Sequence, residues 1–249
     1  TGTYSPLAGP MDRATLDSVL NANRLPDGTP WTLPVILQVD GNAASRLGAG
    51  ARVALTDATG AVHSLLDVAE VFPIDLEKTA KAWFGTVTRE HPGVDRLLRN
   101  GPWCVAGAVT LVEPLPSPWR HYQLTPSQTR FVFAHKGWSR VVGFHTRNVV
   151  HRVHYHIQLR ALERGEADGL YISPVLGPKK RNDFLPGPVL KSYELLLAFG
   201  LYEKGRVVLG GFATYPRYSG PREAVFTALC RKNMGCSHFI IGRDPIGRA

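Results

Sequence analysis

The sequence predicts two folded parts: a β-rich, barrel-like domain over residues 1–117, then an α/β domain with a parallel, doubly wound sheet over residues 118–249. Three features carry that expectation. Short apolar runs punctuated by turn residues fill the first hundred positions. Three prolines stand within Glu113-Pro114-Leu115-Pro116-Ser117-Pro118. Beyond them, strand-like and helix-like segments alternate.

In chain order, a helix is expected over residues 12–21, followed by a turn at Pro26-Asp27-Gly28. Strands are expected over residues 32–39, 52–55 and 105–112, with a turn over 57–60. Proline has no amide hydrogen and a fixed φ, so neither a helix nor a central strand crosses residues 113–118, which form the domain boundary. The second part reads as strand 141–144, helix 149–163, strand 169–175, helix 189–202, strand 206–213, helix 222–233 and strand 239–241. No internal repeat interrupts this βαβ rhythm, and such crossovers make a parallel sheet.

Composition narrows the functional classes. The chain has 249 residues, 44% apolar and 20% charged, enough for a core without staples. No apolar run of about 18 residues exists and the start has no basic flank before an apolar stretch, so we expect a soluble, cytoplasmic protein without a membrane partner. Cys104, Cys230 and Cys236 are odd in number, and the last two have no zinc-ligand spacing, so they read as buried, inert thiols. The formal net charge of +9 is scattered rather than gathered into basic blocks. A site for phosphates accommodates that charge, and a nucleic-acid partner is not expected.

In a doubly wound sheet, ligands bind beyond the carboxyl ends of the strands. Here those segments read His145-Thr146-Arg147-Asn148, Gly177-Pro178-Lys179-Lys180-Arg181, Thr214-Tyr215-Pro216-Arg217 and Gly242-Arg243-Asp244. Basic residues facing one crevice are what a polyphosphate requires. The richest stretch is HTRNVVHRVH at residues 145–154. A helix start offers free amides and a favourable dipole to an anion, and Asn148 is a competent cap. His151 and His154 are three apart and so project on nearly one helical face, while Arg147 offers a planar fork for oxyanions. Alone, such a stretch also reads as a polar helix start with surface histidines. Arg222 reads equally as a helix-start residue paired with a neighbour, and residues 179–181 as a solvated basic loop.

HTRN followed by HRVH resembles the signature of ATP sulfurylases. The likeness extends through YSPLAGPM, RLPDGTPWTLPVIL, FGTVTREHPGV, TPSQTR, GWSRVVGFHTRN, ADGLYISPVLGP and SGPREAVFTALCRKNMGCSHFIIGRD, in family order and over nearly the whole chain. The resemblance implies a PUA-like barrel domain followed by a Rossmann-like, parallel-sheet nucleotidyltransferase catalytic domain. It implies ATP and sulfate as substrates, giving adenylyl sulfate and pyrophosphate, with Mg2+ entering as MgATP and no metal held by a protein cage. Mapped onto matching positions, Thr146, Arg147, Asn148, His151 and His154 are the catalytic residues. His145, Arg147, Asn148, His151, His154, Gly242, Arg243 and Asp244 bind ATP, and His145, Arg147 and Ile246 meet the oxyanion. A homo-oligomer is left open. Family members continue past the nucleotide loop, so further catalytic-domain sequence is expected after Ala249.

Two departures bear on the acceptor. The family has Gln where this chain has His145, and His then Ala where it has Pro245-Ile246. Beside a bound dianion His145 is expected to tend towards imidazolium. A related oxyanion acceptor, such as a phosphonate, therefore stands beside sulfate. A degenerate nucleotide-binding regulator and an RNA-binding PUA-like module are the non-enzyme alternatives.

Overall fold

The computed structural model describes residues 1–178 and 183–242, in two compact units. The first unit contains Tyr4–Pro116 and Arg217–Phe226. Its sheet holds β1 (Gln38–Val39), β2 (Arg52–Thr56), β3 (Val62–Pro73) and β4 (Trp103–Leu111), all pairings antiparallel, in the order β1-β4-β3-β2. Leu66, Val68 and Val105 form its core cluster. Helices α1 (Arg13–Ala22), α2 (Gly41–Ala44), α3 (Leu76–Phe84) and α4 (Pro92–Arg99) complete the unit. Three of them are capped by an aspartate, Asp12, Asp40 and Asp75, whose carboxylate accepts an orphan amide of the first turn.

Only two residues of the expected strand over 32–39 enter the ladder. Pro30 and Pro34 lack a donor. The stretch is held instead by separate bonds, including Trp31 Nε1 to the Leu33 carbonyl at 2.7 Å and Thr32 Oγ1 to the Arg222 carbonyl at 2.5 Å. The longest strand, β3, is not among those that short apolar runs mark, because Asp67 and Glu70 break its apolar pattern. Between Val68 and Glu70 its register shifts, and opposite this point Gly107 comes so close to the Asp67 carbonyl that no side chain fits.

The second unit contains Thr1–Thr3, Ser117–Pro216 and, from Thr227, the remaining described residues. Four parallel strands, β5 (Val141–Thr146), β6 (Gly169–Pro174), β7 (Val207–Leu209) and β8 (His238–Ile240), lie in the order β7-β6-β5-β8. Its helices are α5 (Pro126–His135), α6 (Arg152–Arg164) and α7 (Pro186–Ala198), together with α8 (Pro221–Asn233) from Thr227 onward. Strand alternation sends Val142, Phe144, Leu170 and Ile172 into a cluster with Leu162 of α6 and Val189 and Tyr193 of α7. Val141 and Tyr171 point the other way, into a cluster with Phe133 of α5 and with Met234 and Cys236. Both faces are covered, so every residue of β6 is buried. Helix α5 is absent from the sequence expectation, although Thr125 and Gln128 form a capping box around Pro126.

The three cysteines are buried, and burial pushes the Cys104 and Cys236 thiols up to about 12. Among the described residues no helix is long and apolar enough to cross a membrane.

Candidate active site

The strand order creates the site. From β5 the chain winds outward through β6 to β7, and β8 then returns to the opposite side of β5, with Phe144 paired to Ile240. Segments leaving β5 and β8 therefore diverge at a topological switch point, where a doubly wound sheet opens a crevice at its carboxyl edge. His145-Thr146-Arg147-Asn148 leaves β5 at this point, and Gly242 follows β8. Arg243, Asp244, Pro245 and Ile246 lie outside the described residues, as do Lys179, Lys180 and Arg181.

Thr146 ends β5 with its side chain buried. Its hydroxyl accepts from the Asn148 amide at 3.1 Å and lies 3.3 Å from the Asn148 carbonyl, so the chain turns sharply after the strand. The Val150 amide then donates to Ser192 Oγ on α7 at 3.1 Å. These bonds keep the chain out of a helix until Arg152, three residues later than expected. The cap is therefore His151, not Asn148. His151 makes no side-chain capping bond, and the first turn of α6 contains no acidic residue. Asn148 is exposed.

His151 and His154 do come together, although only His154 is helical. Their rings stack with centroids 3.7 Å apart and planes 29° apart, and His154 meets Phe144 edge-on at 5.6 Å. Burial, and then the neighbouring His151, hold the His154 imidazole below the ordinary histidine range, so it is neutral at pH 7. An anion beside the His154 imidazole favours its protonated form.

Arg147 is mostly buried and its Nη1 lies 3.7 Å from Asp183 Oδ2, itself 11% exposed. His145 sits one residue before the strand end, paired in register with Ser173 of β6. Its Nδ1 is 2.6 Å from Nη2 of Arg231, a residue of α8 that is 1% exposed. Asp183 and Arg231 were not legible in the sequence. The first follows a basic stretch, and the second stands in the run CRKN, which reads as a wet helical face.

Arg217 and Arg222 belong to the first unit. The guanidinium of Arg217 lies over the Phe226 ring at 5.2 Å, while Arg222 donates to the Val19 and Leu20 carbonyls at the end of α1. Arg222 is thus a structural residue.

A family model described as ATP-sulfurylase matches residues 120–248, and one described as PUA-like domain matches residues 1–114. A curated protein named sulfate adenylyltransferase from Symbiobacterium thermophilum is 44% identical over 246 residues, covering 99% of this chain and 62% of its own length. A second, named probable bifunctional SAT/APS kinase 2, from Sorangium cellulosum, is 40% identical over 99% of this chain and 42% of its own length. The solved structure of a hexameric APS kinase from Thiobacillus denitrificans superposes with a TM-score of 0.76 at 27% identity, covering 98% of this chain and 44% of that one. The chain thus spans less than two thirds of the length of these relatives. The α/β architecture with its β-rich, PUA-like partner domain stands as the sequence predicts, and the chain belongs to the ATP-sulfurylase family.

Proposed function

We propose that this chain carries the catalytic core of a sulfate adenylyltransferase, over residues 118–249, behind a PUA-like domain over residues 1–117. A sulfate oxygen attacks the α-phosphorus of MgATP in line. The new P–O bond joins AMP to sulfate as the bond from the α-phosphorus to the bridging oxygen breaks, and pyrophosphate leaves. No covalent intermediate with the protein is needed.

The observation that supports this reading is one segment leaving the switch point between β5 and β8, with Arg147 followed by the stacked pair His151 and His154. Every group it offers suits a polyanion. The uncapped start of α6 adds amide donors and the positive end of a helix dipole. In our reading Thr146 shapes the turn, Arg147 holds the acceptor oxyanion, and Asn148 touches the phosphates. His151 and His154 neutralise charge developing on the departing pyrophosphate, the largest contribution a preorganised site makes. His145 borders the acceptor, Gly242, Arg243 and Asp244 line the nucleotide, and Ile246 meets the oxyanion. In our reading magnesium is coordinated mainly by phosphate oxygens and water and arrives as part of the substrate.

His145 and Pro245-Ile246 favour a second reading in which the same transfer serves another tetrahedral oxyanion, such as a phosphonate. Pyrophosphate release from MgATP, measured against sulfate, selenate, molybdate and a phosphonate, decides between them. Release dependent on sulfate supports the first reading. Release with none of the panel removes both.

A further inference from the structure

Arg231 is a buried cation on α8, and its surroundings are built for it. Gly143 of β5 leaves the room: a Cβ there would lie 3.0 Å from Arg231 Cγ and 3.2 Å from its Cβ. The guanidinium carbon lies 4.1 Å from the centroid of the Phe212 ring, an attractive geometry for a desolvated cation. Nη2 reaches the tips of two adjacent strands at once. It lies 3.2 Å from the Ser173 carbonyl, 3.1 Å from Ser173 Oγ and 2.6 Å from His145 Nδ1. Phe212 also meets the His145 ring edge-on at 6.1 Å.

A guanidinium only donates, and it does not lose its proton in a protein. His145 Nδ1 must therefore present a lone pair, and the ring's proton sits on Nε2. An imidazolium would aim a second N–H at the guanidinium, cation against cation. Among the described residues beside Arg231, burial pushes Tyr171 upward and Cys236 to about 12, leaving both neutral. We infer that Arg231 is a positioning residue that locks His145 as a neutral imidazole protonated on Nε2, so that the acceptor wall carries one uncharged donor at this position. This replaces the imidazolium suggested by the sequence. The acceptor-wall step rests on the function proposed above, whereas the lock does not.

The test is long-range 1H–15N NMR of the full chain, with the His145 signals identified by their loss in His145→Gln. Nδ1 should remain unprotonated and Nε2 protonated from about pH 5.5 to 8, across the ordinary histidine transition. In Arg231→Met, His145 should titrate with a midpoint near about 6.5, and in Arg231→Lys it should stay neutral. Protonation of both nitrogens near pH 6 in the unmodified protein, or a proton on Nδ1, overturns the lock. The unmodified spectrum decides alone if Arg231→Met does not fold. The oxyanion panel addresses the second step: His145→Gln should shift the preference among acceptors at least severalfold. An unshifted panel with an intact lock overturns the acceptor-wall step and leaves the role of Arg231 standing.

Discussion

Replacing Arg147 by Met separates what that residue does for the fold from what it does for chemistry. Its Nη1 lies 3.7 Å from Asp183 Oδ2, and the two side chains are 18% and 11% exposed. At an effective dielectric constant of about 20, unit charges at that distance attract by about 4.5 kcal/mol before any desolvation is counted. The separation exceeds a hydrogen bond, and desolvation offsets most of the attraction. The net coupling should therefore fall at about 1–2 kcal/mol, between an exposed pair and a fully buried one. Arg147→Met leaves a largely buried carboxylate without this cation and should cost about 2 kcal/mol of unfolding free energy. Adding Asp183→Asn, which neutralises the carboxylate without changing its shape, should restore about 1–2 kcal/mol. It should restore none of the turnover, because the oxyanion still lacks its fork. Denaturant titration gives the first quantity and pyrophosphate release the second. A coupling below about 0.5 kcal/mol, within the range of surface pairs, would remove the ion pair from the account. Normal turnover in Arg147→Met would remove Arg147 from the acceptor site.

His151→Ala and His154→Ala should each lower turnover by about two to three orders of magnitude, the scale for losing one preorganised donor, with circular dichroism unchanged. Normal rates in both variants would sink the phosphate assignment. In the first unit, the hydrogen bond that His63 donates to Asp57 raises the His63 pKa, and Thr59 and His63 lower that of Asp57. The His63 contribution is fully present below its unfolded value and fades as pH rises through the raised folded one. That of Asp57 is present above its unfolded value and is lost on acidification. His63→Asn should therefore destabilise the protein more at about pH 5.5 than at about pH 9, limits that bracket the histidine range, and an equal loss at both would refute the pair. At the start of β6, a methyl group on Gly169 would run into the Trp138 indole. Gly169→Ala should cost about 1–3 kcal/mol by overpacking, and an unchanged denaturation midpoint would show that the indole moves aside freely.

Local chemistry was readable wherever one short stretch settles it. The Asp12 cap announces α1, Asp57-Ala58-Thr59-Gly60 makes its own turn, and the two-sided burial of β5 and β6 shows as near-continuous apolar runs. The end of β5 could be located because strand and helix periodicities change there. The start of α6 could not, because it depends on Ser192 of α7 capturing the Val150 amide from 42 residues away. Likewise β3 needs its two neighbours in the sheet to tolerate Asp67 and Glu70.

The family resemblance added roles to residues without their surroundings. Periodicity, caps and turn residues determine where strands and helices begin, because those forces act within one turn of chain. Whether His151 and His154 stack, whether Arg147 faces Asp183, and which proton His145 keeps are decided by contacts between distant segments. Arg231 lies 86 positions from His145. Nothing in the sequence of α8 marks it as buried, since its burial depends on the space left by Gly143 and on the Phe212 ring, both supplied by other parts of the fold.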